Sequence, residues 1–170
     1  MAEKRIDEII TGLEKKSEKK SKDVNIVKDF LIVEIGSTRL AIQIEYLREV
    51  FDLQDVRDIA VIPFTPDYVM GIINVRSEII PVLYLSKILE KQASEKDYRK
   101  MIIIEQNEVK IGFPVLRIMD LVSIEVKSIK PIQDVKKKAD HAFIAEELTV
   151  NEANYGVLDI ARLFASRYVQ

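Results

Sequence analysis

Val82-Leu83-Tyr84-Leu85-Ser86-Lys87-Ile88-Leu89 returns further along the chain as Val157-Leu158-Asp159-Ile160-Ala161-Arg162-Leu163-Phe164, 75 positions later (157 − 82). The residue types match closely except where tyrosine stands against aspartate. Upstream, Leu31-Ile32-Val33-Glu34 returns as Ile102-Ile103-Ile104-Glu105, 71 positions later (102 − 31). At that same offset Leu40-Ala41-Ile42 becomes Ile111-Gly112-Phe113, and Leu47 becomes Ile118. The chain therefore reads as a duplicated unit. Each copy begins with a strand pair and ends in a strand followed by a helix-like run. Two related surfaces with a seam between them suit a protein that joins partners better than one that turns over a substrate.

Working outward from the repeat, the body starts near Val27. Phe30 to Ile35 reads as a strand, Gly36-Ser37-Thr38 as a turn, and Arg39 to Ile42 as the returning strand. Ile44, Leu47 and Val50 recur at spacings of three, which predicts a short helix or tight turn packed inward. Thr65-Pro66-Asp67 carries helix-start signals and Gly71 a helix stop, predicting one helical turn that leads into a strand from Ile72. Ile79 to Leu85 is a strand, placed at an edge or bulge by Pro81, and Ser86 to Glu90 is helical. Lys100 to Glu105 and Val109 to Val115 form a second hairpin, Leu121 to Val126 a further strand, and Ala142 to Leu148 and Tyr155 to Asp159 two more. Ile160 to Tyr168 reads as a terminal helix. Many short strands with polar turns imply two small β-barrels.

Ahead of the body, Ile6, Ile9, Ile10 and Leu13 form one apolar stripe at helical spacing. A polar, lysine-rich run from Glu14 to Lys22 follows. Residues 1–25 thus read as an extra N-terminal amphipathic helix and linker, and residues 26–170 as the body, with halves at roughly 26–92 and 93–170. The stripe either rests on the body or docks a partner. Because it lies outside the duplicated core, deleting Met1 to Lys22 is expected to leave the barrels folded.

Composition narrows the function. Hydrophobic residues make up 48% of the 170 residues, enough for a core, and charged residues 32%. The formal net charge of −2 gives no general attraction to nucleic acid. The chain has no cysteine, which excludes disulfides, thiolate nucleophiles and zinc-thiolate sites. No apolar run approaches the ~18 residues of a membrane span, so a cytoplasmic protein without direct membrane insertion is expected.

Catalytic and metal chemistry find little support. His141 is the single histidine, beside Asp140 in a polar segment, with no second histidine to share a metal. Glu146 and Glu147 are adjacent, and neighbouring strand residues point to opposite faces, so they do not form an acid–base pair. The five glycines fall in no phosphate-binding pattern. Lysines cluster in linkers rather than on an aromatic strand face. No cofactor, metal or catalytic residue is expected. A small barrel that binds a small ligand or nucleic acid is the alternative to a non-enzymatic interaction protein.

The stretch Gly71-Ile72-Ile73-Asn74-Val75-Arg76-Ser77-Glu78-Ile79-Ile80-Pro81-Val82-Leu83-Tyr84-Leu85 resembles the long glycine–asparagine–arginine–proline pattern of the CheW-like family of bacterial chemotaxis couplers. Leu47-Arg48-Glu49-Val50 is similar to the family's turn with its glutamate, and Pro63 and Pro66 fall where the family has a proline-containing segment. The likeness spans roughly Val27 to Phe164. It implies a mainly β fold of two intertwined five-stranded SH3-like barrels with short helices. It implies an adaptor that couples the cytoplasmic tips of methyl-accepting chemoreceptors to the regulatory domain of the histidine kinase CheA, recruited to membrane receptor arrays.

By this resemblance Leu47, Glu49, Gly71, Arg76 and Val115 are the candidate partner-binding residues, and Glu49 and Arg76 are expected to pair. Asn74 is expected to fasten a turn instead. Three positions depart from the family pattern. Ser77 replaces a glycine after the arginine, Tyr84 replaces an aspartate that the second copy keeps as Asp159, and Leu116 replaces an aspartate in the second copy.

Overall fold

The computed structural model describes residues 25–55, 59–89, 97–133 and 143–170. The N-terminal stripe and linker, His141 and most of the lysine-rich segment after Pro131 lie outside the described residues. Eleven described strands and two short helices follow the duplication. The first copy contains β1 (Val27–Ile35), β2 (Thr38–Gln43), β3 (Leu47–Asp52), β4 (Val69–Val75), β5 (Glu78–Leu83) and α1 (Leu85–Leu89). The second contains β6 (Lys100–Gln106), β7 (Val109–Val115), β8 (Arg117–Glu125), β9 (Lys130–Pro131), β10 (Ile144–Val150), β11 (Ala153–Leu158) and α2 (Ile160–Phe164). The bounds of β4, β5 and α1 recur in β10, β11 and α2 at an offset of 75 positions (144 − 69).

The sheets do not follow the copies. One runs β8-β1-β2-β11-β10-β9 and the other β3-β6-β7-β5-β4. Each sheet combines the opening hairpin of one copy with the remaining strands of the other, so the halves are intertwined. The six-to-five difference is small, because the place of β9 is taken in the second sheet by a single bridge, Ala60↔Ile72. Lys130 pairs with Glu147, the residue 75 positions after Ile72.

Exchange explains the unbroken apolar runs of β1 and β6. Strand side chains alternate between faces, and here both faces are buried. Phe30 and Ile32 point into the first barrel with Leu148 and Val157. Leu31, Val33 and Ile35 point into a core shared between the barrels. In β6, Met101 and Ile103 fill the second barrel beside Ile73, Ile80 and Val82, and Ile102 and Ile104 enter the shared core. In that barrel Phe51 and Leu53, from β3 and just beyond it, share an interior cluster with Met70 and Val75 of β4. The outer strands of the sheet therefore curl toward each other.

Three hairpins turn through two residues that both have positive φ: Arg76-Ser77, Asn107-Glu108 and Asn151-Glu152. Their φ values match the tight turns whose twist suits antiparallel strands. Asp159 caps α2, its carboxylate accepting from Arg162 N at 2.9 Å. Tyr84 at the start of α1 has no carboxylate to do the same. There the buried Ser86 hydroxyl instead lies 2.6 Å from the Tyr98 hydroxyl.

Several local expectations are corrected. Thr65 to Gly71 is not a helical turn. Thr65 Oγ1 donates to Ile62 O, Val69 N closes one turn on Pro66 O, and Val69 already belongs to β4, because pairing with β5 and with Ala60 outweighs the local helix signals. Ile44 to Tyr46 is a single 3-10 turn, after which Leu47 enters a strand and leaves Val50 facing outward. Pro81 sits in a strand flanked on both sides. It is accommodated because β5 meets β7 in register only at Val82↔Gly112. The last helix ends at Phe164, and Tyr168 turns back to stack edge-on against Tyr68 at 4.9 Å.

Candidate functional site

Glu49 lies on β3 beside a bulge, and Arg76 in the turn between β4 and β5. These strands stand at opposite ends of the sheet order. Curling brings them together, and Arg76 Nη2 donates to Glu49 Oε1 at 3.1 Å. The Arg76 side chain is 83% exposed and that of Glu49 is 30% exposed. The pair thus crosses the seam of the barrel and presents the guanidinium outward.

The pair belongs to a larger circuit. Arg48 Nε donates to Glu105 Oε2 at 2.9 Å, Lys110 lies 4.0 Å from the same oxygen, and Lys110 also bonds Glu78. These residues step across the sheet from β3 to β6, β7 and β5. From Glu78 the turn leads to Arg76, and Arg76 returns to β3. Alternating charges therefore girdle one end of the second barrel. The Glu78 hydrogen bond is the largest of the effects that raise the pKa of Lys110, which keeps that ammonium charged. Single exposed pairs of this kind contribute about 0–1 kcal/mol, so the circuit shapes a surface more than it holds the fold.

Sequence spacing offered no sign of this circuit. Glu78, Glu105 and Lys110 are ordinary charged residues until β7 is known to lie between β5 and β6.

Leu47 shares this end. It is half-buried and packs against the shared core. Asn74 Oδ1 accepts from Ser77 N at 3.0 Å and so fastens the Arg76 turn, the role expected of it. Gly71 and Val115 are not on this surface. Gly71 is buried in β4 with φ +148, and a Cβ there would stand 2.4 Å from Ala60 O. Val115 is fully buried at the far end of β7. Glycine's absence at position 77 has a local cost, because Ser77 holds φ 69. Left-handed backbone costs a non-glycine residue roughly 1–2 kcal/mol. Ser77→Gly is therefore expected to raise stability by about 0.5–1 kcal/mol, read as a higher denaturant midpoint with an unchanged slope.

Among the described residues no group of three or more histidine, cysteine or acidic side chains could hold a metal. Glu146 and Glu147 pair with Pro131 and Lys130 at successive positions of β10. No described helix is long and apolar enough to cross a membrane.

A family model described as a CheW-like domain matches residues 29–167. The chain belongs to the CheW-like domain family. Among relatives of this CheW-like chain is the chemotaxis protein CheW of Treponema pallidum (strain Nichols). It is 28% identical over 142 residues, which are 81% of this chain and 82% of that protein. The chemotaxis protein CheW of Thermotoga maritima is 31% identical over 100 residues, 58% of this chain and 64% of that protein. The crystal structure of the scaffolding protein TtCheW from Thermoanaerobacter tengcongensis aligns with a TM-score of 0.67 at 28% identity, covering 84% of this chain and 95% of that one. The mainly β, two-sheet architecture of this CheW-like chain matches that structure. The family match spans both copies of the repeat, so the intertwined arrangement lies almost wholly within the CheW-like domain.

Proposed function

We propose that this protein is a non-catalytic adaptor that couples the cytoplasmic tips of methyl-accepting chemoreceptors to the regulatory domain of the histidine kinase CheA. The observation that carries this reading is the match of residues 29–167 to the CheW-like domain. The names of its relatives, a chemotaxis protein and a scaffolding protein, point the same way. On this reading the protein works in the cytoplasm and is recruited to membrane receptor arrays.

The contact surface is the charged end of the second barrel, around Leu47, Glu49 and Arg76. Gly71 and Val115 act from beneath, Gly71 by letting Ala60 close on β4 and Val115 by filling the shared core. Barrels that meet through unlike patches can close rings or extend arrays, and multivalency makes weak individual contacts persistent. Purified protein is expected to raise CheA autophosphorylation in receptor-containing membranes and to turn over nothing alone. An absence of binding to both CheA and receptor fragments at high micromolar concentration would overturn the reading.

A further inference from the structure

The duplication exposes one place where the two barrels differ. In the second barrel the segment just before β6 covers the start of α1. Tyr98 places its hydroxyl 2.6 Å from Ser86 and its ring 6.1 Å from that of Tyr84. The equivalent of Tyr98 in the first copy is Val27, 71 positions earlier (98 − 71). The equivalents of Tyr84 and Ser86 at α2 are Asp159 and Ala161, 75 positions later (84 + 75 and 86 + 75).

Val27 cannot reach as Tyr98 does, and it is 51% exposed. Next to it the surface is hollow. A depression of about 350 Å³ is lined by Val27, Asp29, Gln43, Ile44 and Glu45, and one of about 250 Å³ by Gln43, Tyr46, Glu146, Asp159 and Ala161 among others. They share Gln43 as a wall and so adjoin, a groove in two parts running from the start of β1 to α2. Its floor is partly apolar, and its rim bears four carboxylates, Asp29, Glu45, Glu146 and Asp159, against one cation, Lys28, which lies 3.9 Å from Glu45. Burial, followed by Glu45 and Asp159, raises the pKa of Tyr46, which leaves its hydroxyl neutral at physiological pH. Ile26, 63% exposed, and Val126, 38% exposed, extend the apolar surface at the β1 end, joined by Val126 N donating to Ile26 O at 2.8 Å.

We propose that the N-terminal segment of this same chain fills the groove, with Ile6, Ile9, Ile10 and Leu13 against its apolar floor. The chain enters at the correct end. Asn25 is fastened there, its amide donating to Glu125 at 3.1 Å and accepting from Lys127 at 3.0 Å. The run from Glu14 to Val24 can extend up to about 35 Å, so the stripe is not held to the immediate neighbourhood of Asn25. Charge agrees as well. The run carries five lysines (Lys15, Lys16, Lys19, Lys20 and Lys22) against Glu14, Glu18 and Asp23, a net charge of +2 (5 − 3), opposite in sign to the rim. The segment thereby does for the first barrel what Tyr98 does for the second. The inference does not depend on the adaptor reading.

The absence of cysteine makes the test clean. Spin labels on Thr11→Cys, opposite the stripe at helical spacing, and on the exposed Ala165→Cys, just past α2, report the distance between segment and groove end. The full chain is expected to give one short, narrow distance distribution that survives dilution with unlabelled protein. Changing Ile6, Ile9, Ile10 and Leu13 together to serine should lengthen and broaden it while circular dichroism stays native. The same broad distribution before and after the serine changes would overturn the proposal. So would a short distance that disappears on dilution, because the segment would then occupy a second copy.

Discussion

Gly71→Ala should destabilise the protein by about 3 kcal/mol or more, the sum of ~1–3 kcal/mol of backbone strain and ~1–3 kcal/mol of overpacking. Gly71 holds φ +148, and its missing Cβ leaves the space into which Ala60 O comes. Ala60 and Ile72 exchange two backbone hydrogen bonds, at 2.9 and 3.0 Å. An added methyl group would meet backbone rather than a flexible side-chain end, so neither partner can give way without breaking that bridge. At roughly 2–4 °C per kcal/mol for a chain of this size, the melting temperature should fall by about 10 °C. The position 75 residues later is Glu146, at the matching bulge of β10, where a side chain is present and exposed. Glu146→Ala should therefore change stability little. A Gly71→Ala variant that melts with the parent would show that Ala60 does not close on β4 in solution. Because the residue is buried, lost partner binding in this variant should track lost folding, not a missing contact.

The duplication was the most legible part of the fold, because two separate offsets, 71 and 75, each tie residues of one strand–strand or strand–helix unit to another. Strand exchange was not legible in the repeat itself; the intertwining was expected only from the family resemblance, and the sheet order bears it out. A repeat states that Phe30 and Met101 occupy equivalent positions, but nothing local to either says which hairpin completes which barrel. That choice is made by burial of both faces of β1 and β6, a tertiary effect. Thr65 to Gly71 shows the converse. Its helix signals are genuine locally, yet each contributes about 1 kcal/mol or less, and the paired strands β4 and β5 override them. Glu49 and Arg76 came from family resemblance, and the structure brings them together. Gly71 and Val115 came from the same source but are buried, since a motif records which residues are needed without recording whether a partner touches them. The circuit through Glu105, Lys110 and Glu78 required the sheet order before it could be seen at all.

Arg76→Glu should weaken binding to CheA or receptor fragments by about 2–3 kcal/mol, some 30- to 150-fold, if its guanidinium is desolvated at the contact. The same change should move monomer stability by no more than about 1 kcal/mol. The backbone at position 76 already tolerates a side chain at φ 50, so the replacement adds no new strain. What it adds is a carboxylate facing Glu49 and close in sequence to Glu78, in a circuit whose charges otherwise alternate. Glu49→Lys should act in the same direction but less strongly, because Glu49 is the more buried partner and its main effect is to orient Arg76. The two reversals combined restore an ion pair across the seam. They nevertheless present a carboxylate where the parent presents a guanidinium, so stability should return while binding stays weak. Full recovery of binding in the double variant would mean that the pair serves only to close the barrel and that the partner never meets Arg76. Folded single variants, verified by circular dichroism, that bind kinase and receptor with parental affinity would remove this end of the barrel from the contact surface altogether.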